Sequence, residues 1–312
     1  MKKFLAEIML FITAVIVVYA LALIPQRKGF SKYMQNLKPE YEVVNLGTSH
    51  GYDFDYSQTS RRGVPVNKEG NTLYYDLQNY RYLNHNSILS KGAVIVIPIS
   101  YFALGLDENR ADRGKENAFA NDFYFYLGRR QIYDYSWKKE VRLKTFELQK
   151  NIKTAIGVAQ QFQAKKPSGS SNPKKEEMTQ TEKISNHSKG RTKRHNKLAR
   201  FREKDKNIKY VEQLLEEILA NGHKAVLVTV PYSKFYNEGF EGKWLANNYF
   251  SQMTKWSEGF GVPYLDYSHR QEFSNHPKLF QDSDHLNKEG KKMFSKIFFE
   301  DLEKLGVFTP QK

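Results

Sequence analysis

Two runs in this 312-residue chain, Ala93 to Ile99 (AVIVIPI) and Ala225 to Val230 (AVLVTV), are apolar at nearly every position and rich in β-branched residues. A strand with one face in water alternates apolar and polar side chains, so unbroken runs of this kind belong to strands covered on both faces. Three weaker runs join them: Glu42 to Leu46, Val64 to Asn67 and Pro263 to Asp266. Helical patterns lie between and after them at Asn71 to Leu83, Trp137 to Phe162, Ile208 to Asn221, Lys243 to Phe260 and Lys288 to Leu305. The spacing Val211, Leu214, Leu215, Ile218 makes one apolar stripe, and Asn221-Gly222 ends it. Strand and helix alternating in this way predict an α/β fold, a three-layer sandwich with a central parallel sheet. In such sheets ligands bind beyond the carboxyl ends of the strands, so the residues after each strand are the candidates for chemistry.

The N-terminus adds a membrane element. Ile8 to Ile24 holds 17 residues with only Thr13 and Tyr19 polar, the lower limit for a helix crossing a bilayer core. A cleaved signal peptide fits the pattern Ala20-Leu21-Ala22, whereas an uncleaved transmembrane helix fits the length of the run, and the anchor is the preferred expectation. Lys2 and Lys3 precede the run, while Arg27, Lys28 and Lys32 follow it, so charge bias alone leaves the orientation open. The signal-like start places the large domain outside the cytoplasm, on a single-pass protein of the cell membrane.

Charge is also unevenly spread. The chain carries 49 Lys+Arg against 34 Asp+Glu, a formal charge of +15, and the stretch from Lys165 to Lys209 alone carries 15 basic and 5 acidic residues. Rich in Ser, Asn and Lys and almost without aliphatic residues before Leu198, residues 165–206 read as a basic disordered insertion. It is either an electrostatic tether to anionic lipid or glycopolymer, or a solvated loop without a partner. The expected organisation is therefore an anchor or signal segment at 1–25, a first domain part at 26–164, the insertion, and a second part at 207–312. Nucleic acid is not expected as a partner, because no recognition motif accompanies the charge. With no cysteine, thiolate nucleophiles and Cys-ligated metal centres are excluded, and His223, His269 and His276 show no metal-ligand spacing. No cofactor is expected.

After the first strand comes Gly47-Thr48-Ser49-His50-Gly51, a serine on a Gly-flanked turn where a hydroxyl is exposed near backbone N–H groups. Near the C-terminus, Asp282-Ser283-Asp284-His285-Leu286-Asn287 precedes the last helix, with Asn287 as a plausible N-cap. An imidazole acting as a base needs a carboxylate on its far nitrogen. Asp282 can supply it across a tight turn, and Asp284 is the other candidate.

Together the two clusters resemble the SGNH (GDSL-type) hydrolase family, whose nucleophile serine follows the first strand and whose Asp-x-x-His block precedes the last helix. More narrowly, the G-T-S-H start, the D-S-D-H-L-N-x-x-G finish and the N-terminal apolar segment are similar to anchored bacterial members allied to the D-alanyl-lipoteichoic acid biosynthesis protein and to polysaccharide O-acetylation factors. The resemblance covers roughly residues 40–306 and implies a flavodoxin-like sheet. It implies catalytic Ser49, Asp282 and His285, and an oxyanion hole from the N–H of Ser49 and of Gly70, in Asn67-Lys68-Glu69-Gly70. Gly70 also fits an ordinary turn before a helix. The family's G-x-N-D block is absent: the chain reads Pro98-Ile99-Ser100-Tyr101, so Ser100 is the candidate substitute donor. His50 binds substrate or holds the turn, and Tyr101 and Tyr232 are candidate pocket residues.

The implied function is a membrane-anchored, extracytoplasmic serine esterase or O-acyltransferase acting on ester groups of a cell-envelope polysaccharide or teichoic-acid-like polymer. Its partners would be the glycopolymer or an acylated sugar, the membrane, and a multi-span membrane acyltransferase. The alternative is a catalytically weak partner or scaffold protein of such an acyltransferase system. Sequence alone leaves hydrolysis and transfer open.

Overall fold

The computed structural model describes residues 2–23, 29–108, 118–161, 178–200 and 204–308. Residues Met1–Gln35 and Asp134–Glu176 form one compact unit, and Asn36–Tyr133 with Glu177–Lys312 form the other.

The larger unit is built on a five-stranded parallel sheet. Its strands are β1 (Tyr41–Asn45), β2 (Gly63–Pro65), β3 (Leu89–Pro98), β4 (Lys224–Thr229) and β5 (Tyr264–Asp266), in the spatial order β2-β1-β3-β4-β5. All five expected strands are present, and every pairing between them is parallel, for example Val43 beside Val94, Val96 beside Val226 and Val228 beside Leu265. From Ala93 to Pro98, β3 is buried at every position, which is why its sequence does not alternate. Strand order reverses between β1 and β3, because the chain leaves β1 toward β2 on one side and returns to β3 on the other. A crevice opens at such a reversal beyond the strand ends. Ser49 follows β1 there, and Ser100 follows β3.

The first helix of the smaller unit is α1 (Lys2–Leu23). In the larger unit follows α2 (Leu73–His85), then in the smaller unit α3 (Trp137–Gln161). The larger unit continues with α4 (Gln180–Ala199), α5 (Lys204–Ala220), α6 (Ser251–Phe260) and α7 (Lys288–Lys304). On α5 the predicted stripe Val211, Leu214, Leu215 and Ile218 is fully buried. The helical pattern expected from Lys243 is broken into Gly242–Leu245, a wide turn at Ala246–Phe250, and α6. Over its described residues no helix is long and apolar enough to cross a membrane. On α1, Phe4, Met9, Leu10 and Phe11 are exposed.

The basic stretch differs from its expectation. Instead of disorder, residues 180–199 form α4, opened by a capping box in which the Thr179 hydroxyl accepts from the Glu182 N–H while the Glu182 carboxylate accepts from the Thr179 N–H. Its buried face reads Ile184, Ser188, Thr192, His195, Leu198 and Ala199. These positions keep a helical period, but small and polar residues occupy places where aliphatic ones would be recognised. Hydrogen bonds replace part of the missing apolar area: Gln180 donates to the Phe280 carbonyl at 2.8 Å, and Asn196 to the Gly239 carbonyl at 2.8 Å. Close approach replaces more, since a Cβ on Gly105 would lie 1.8 Å from the Leu198 carbonyl oxygen. Of the rest of the expected insertion, 165–177 and 201–203 lie outside the described residues, while 204–206 form the start of α5.

Candidate active site

The loop after β1 is held by a polar scaffold. Gly47 has φ +107°, a conformation that favours glycine, and its N–H donates to the Asp76 carboxylate of α2 at 2.8 Å. Asn71 donates to the same oxygen at 2.6 Å. From Ser49 to Asp53 the chain makes a short 3-10 turn. Gly51 within it lies so close to Asn67 that a Cβ would come within 2.3 Å of the Asn67 Cβ. Asp53, wholly buried, accepts from the Leu286 N–H at 3.1 Å and so ties the serine turn to the histidine loop.

The histidine loop is closed by an antiparallel bridge between Phe280 and Leu286 and by the Gln281 N–H donating to the His285 carbonyl. Asn287 caps α7, accepting from the N–H groups of Glu289 and Gly290. Inside the loop one oxygen of Asp282 accepts the N–H groups of Asp284 and His285 at 3.1 and 2.9 Å, which fixes the carboxylate before it meets the imidazole.

Ser49, His285 and Asp282 come together. Ser49 Oγ lies 2.9 Å from His285 Nε2, and His285 Nδ1 lies 2.9 and 3.0 Å from the two oxygens of Asp282. An ionised carboxylate only accepts, so Nδ1 carries the proton and Nε2 is left to accept from the serine hydroxyl. Burial tends to raise the Asp282 carboxyl, yet its bond to His285, the charge of that ring and the Asp284 N–H together hold it below the usual carboxylate range. Burial tends to lower His285, but Asp282, Asp284 and Asp53 together hold it above its ordinary value. Ser49 is half-buried.

Asp284 does something else. It is fully buried, with one oxygen 3.1 Å from Arg191 Nε and the other 3.3 Å from His50 Nε2, while Ser283 Oγ donates to it at 3.0 Å. Its distance to His285 Nδ1 is 3.9 Å. Burial pushes its carboxyl up, but the bond to His50 and the nearby imidazoles outweigh this and keep it ionised.

His50 is not a surface residue. It is 1% exposed, its Nδ1 lies 2.6 Å from Ser100 Oγ, and its ring stacks on that of His285. Burial lowers its pKa and keeps it neutral despite Asp284. Asp284 faces Nε2 at 3.3 Å, so the proton sits on Nε2 and Nδ1 accepts from the Ser100 hydroxyl. This corrects two expectations. His50 has no face for substrate, and the Ser100 hydroxyl, 1% exposed and committed to His50, is not placed to act as an oxyanion donor.

Tyr101 and Tyr232 are likewise corrected. Both are buried in an aromatic cluster with Tyr236, Tyr249 and Phe240, where Tyr101 donates to Asn237 at 3.1 Å, so they are core rather than pocket wall. Gly70 sits in the turn after β2 with φ +68°, and a Cβ there would run into the Phe119 ring.

Sequence reasoning missed Arg191. It reaches both acids from α4, with Nη2 3.1 Å from Asp282 and Nε 3.1 Å from Asp284. The Thr179-x-x-Glu182 capping box was the signal that a helix begins there. Ligand atoms of His50, Asp284 and His285, and of His187, Asp282 and Asp284, lie within 4.8 Å of one another. Both acids already face the Arg191 cation, which makes these groups poor hosts for a metal ion.

No family model and no curated protein matches the chain. Among solved structures it is similar to a candidate acylhydrolase from Bacteroides fragilis, at 13% identity over 88% of this chain and 95% of that one, with a TM-score of 0.42. It is also similar to a GDSL-like lipase from Bacteroides thetaiotaomicron, at 12% identity over 92% and 95% with a TM-score of 0.39. A candidate platelet activating factor from Streptococcus pneumonia aligns at 10% identity over 95% and 99%, with a TM-score of 0.42.

Proposed function

We propose that this protein is a serine esterase or O-acyltransferase with Ser49 as nucleophile, His285 as general base and acid, and Asp282 as the carboxylate that orients it. One observation carries the reading: the unbroken chain Ser49 Oγ, His285 Nε2, His285 Nδ1, Asp282 at hydrogen-bond distances throughout. Ser49 Oγ attacks the ester carbonyl while its proton passes to Nε2. The tetrahedral intermediate collapses, the acyl group stays on Ser49, and the proton goes to the leaving alkoxide as an alcohol. An incoming water or sugar hydroxyl then gives its proton to Nε2 and takes the acyl group, and Ser49 regains its proton. The N–H groups of Ser49 and Gly70 are the proposed donors to the oxyanion.

The proposed substrate is an ester on a cell-envelope polysaccharide or teichoic-acid-like polymer, met by a protein held to the extracytoplasmic face of the membrane. The exposed apolar side chains of α1 and the lysines 189, 193 and 197, exposed at four-residue spacing on α4, support this reading.

The test uses the full chain and a fluorophosphonate probe. Labelling of the wild type that disappears in Ser49→Ala and falls steeply in His285→Ala is the expected result. Equal labelling of wild type and Ser49→Ala removes Ser49 from the mechanism. A folded wild type inert to the probe and to aryl esters supports instead a non-catalytic partner of an acyltransferase.

A further inference from the structure

Asp282 and Asp284 lie on one turn, and a single guanidinium from α4 touches both. Arg191 Nη2 is 3.1 Å from Asp282 Oδ2, and Nε is 3.1 Å from Asp284 Oδ1. Arg191 is 20% exposed and Asp284 not at all, so the contact with Asp284 is shielded from solvent. Two carboxylates facing one imidazole without a counter-charge repel, and one of them tends to take up a proton. Both acids stay ionised, held so by their bonds to the neighbouring imidazoles, and Arg191 adds a positive counter-charge in contact with each. The two acids, the guanidinium and a neutral His285 sum to one net negative charge, and protonation of His285 brings the sum to zero.

We propose that Arg191 and Asp284 are positioning residues of the active site, a counter-charged pair that makes the surroundings of His285 electrically neutral at the moment it holds the serine's proton. The pair rests on the reading of Ser49 as nucleophile and His285 as base. It assigns α4 a role in the chemistry, since among the described residues Arg191 is the only arginine or lysine in contact with both acids. Neither residue touches substrate in this scheme. Arg191 acts through Asp282 and Asp284, and Asp284 acts across 3.9 Å on His285 Nδ1.

The other titratable groups around His285 are the same residues in every variant, and one of them, Asp53, is itself pushed up to about 7 by burial. From the serine turn come Asp53, tied to the Leu286 N–H, and neutral His50. From α4 come His195, kept neutral by burial with its pKa lowered to about 3, and His187, whose Nδ1 meets Ser283 Oγ at 3.0 Å. Arg194 acts on His195, and Lys291 of α7 acts on Asp53.

The experiment measures kcat/KM against pH for an aryl ester, and in parallel follows the His285 ring protons by NMR on the same variants. The acid limb of kcat/KM reports the base in the free enzyme. Arg191→Gln removes a positive charge near His285 and should move the limb up by about one pH unit, while Asp284→Asn removes a negative one and should move it down by about as much. The double variant Arg191→Gln/Asp284→Asn should return it to near the wild-type position, and Arg191→Lys should leave it close to wild type. Opposite shifts that cancel in the double variant are not produced by a merely structural role. Limbs that stay in place, or that move the same way in both single variants, overturn the proposal. If Arg191→Gln does not fold, Asp284→Asn against the double variant makes the same comparison. The NMR titration separates the two readings: shifts of opposite sign in a protein without esterase activity uphold the charge pair while removing the esterase assignment.

Discussion

The imidazole rings of His50 and His285 stack with their centroids 4.8 Å apart and their planes 17° from parallel. In the proposed mechanism His285 accepts a proton, and a second imidazolium stacked on it would oppose that. Burial, which lowers the His50 pKa, removes the conflict by keeping His50 neutral. His50 is therefore a neutral floor for the His285 ring, bonded to Ser100 on one nitrogen and facing Asp284 at 3.3 Å on the other. Replacing His50 by Phe keeps a ring but takes from the Ser100 hydroxyl its acceptor and from Asp284 one of the groups facing it, while Arg191 and Ser283 still meet the carboxylate. The expected cost is roughly 1–3 kcal/mol in chemical unfolding, with a fall in aryl-ester turnover. Unchanged stability would show that Asp284 does not depend on His50.

Asp282 is predicted to be the carboxylate that matters most to the tautomer of His285, at 2.9 Å from Nδ1 against 3.9 Å for Asp284. Loss of the orienting carboxylate can cost up to about 10⁴ in turnover. Asp282→Asn is expected to approach that loss, and Asp284→Asn to fall well short of it, in steady-state rates on one aryl ester. A larger loss in Asp284→Asn would reverse the assignment.

Much of this site was legible in the sequence because its parts are local. A serine turn after a strand, an Asp three residues before a His, and a capping Asn before a helix each show in a short window. The five strands were legible for the same reason, since buried parallel strands announce themselves as apolar runs. What was not legible is what comes from elsewhere in the chain. The burial of His50 depends on Ser100 and Asp284, 50 and 234 residues away in sequence, and no local pattern reports it. Tyr101 and Tyr232 follow strands at the expected edge, yet the aromatic residues between Tyr236 and Phe250 cover them. Composition misled most at α4, whose buried face uses Ser188, Thr192 and His195, residue types that usually mark solvent.

The same helix gives a stability prediction. Thr179→Ala removes the side-chain half of the capping box and should cost about 1 kcal/mol. Ile184 is 1% exposed, and Ile184→Ala should cost roughly 2–5 kcal/mol. Because α4 holds Arg191 against both acids, the second change should also lower esterase turnover. Chemical unfolding and turnover on the same samples check both, and a neutral Ile184→Ala would restore the picture of a dispensable insertion.

The last prediction concerns Asp76, the acid that holds the Gly47 turn. It is 1% exposed, and burial pushes its carboxyl up to about 7 even though the Gly47 N–H and Asn71 both favour the ionised form. A carboxyl raised in the fold binds its proton more tightly there than in the unfolded chain. Its contribution to stability is thus fully present below about pH 3.8 and is lost as pH rises toward about 7. Asn at this position can still accept from Gly47 but does not ionise. The stability of wild type relative to Asp76→Asn should therefore fall between those two pH values, by up to roughly 4 kcal/mol, and level off above. Asp53, also pushed up to about 7 by burial, is present in both proteins and cancels in the difference. Unfolding midpoints of the two proteins at intervals across this range make the measurement. A difference that stays constant with pH would show that Asp76 is already ionised in the fold, its charge fully met by Gly47 and Asn71.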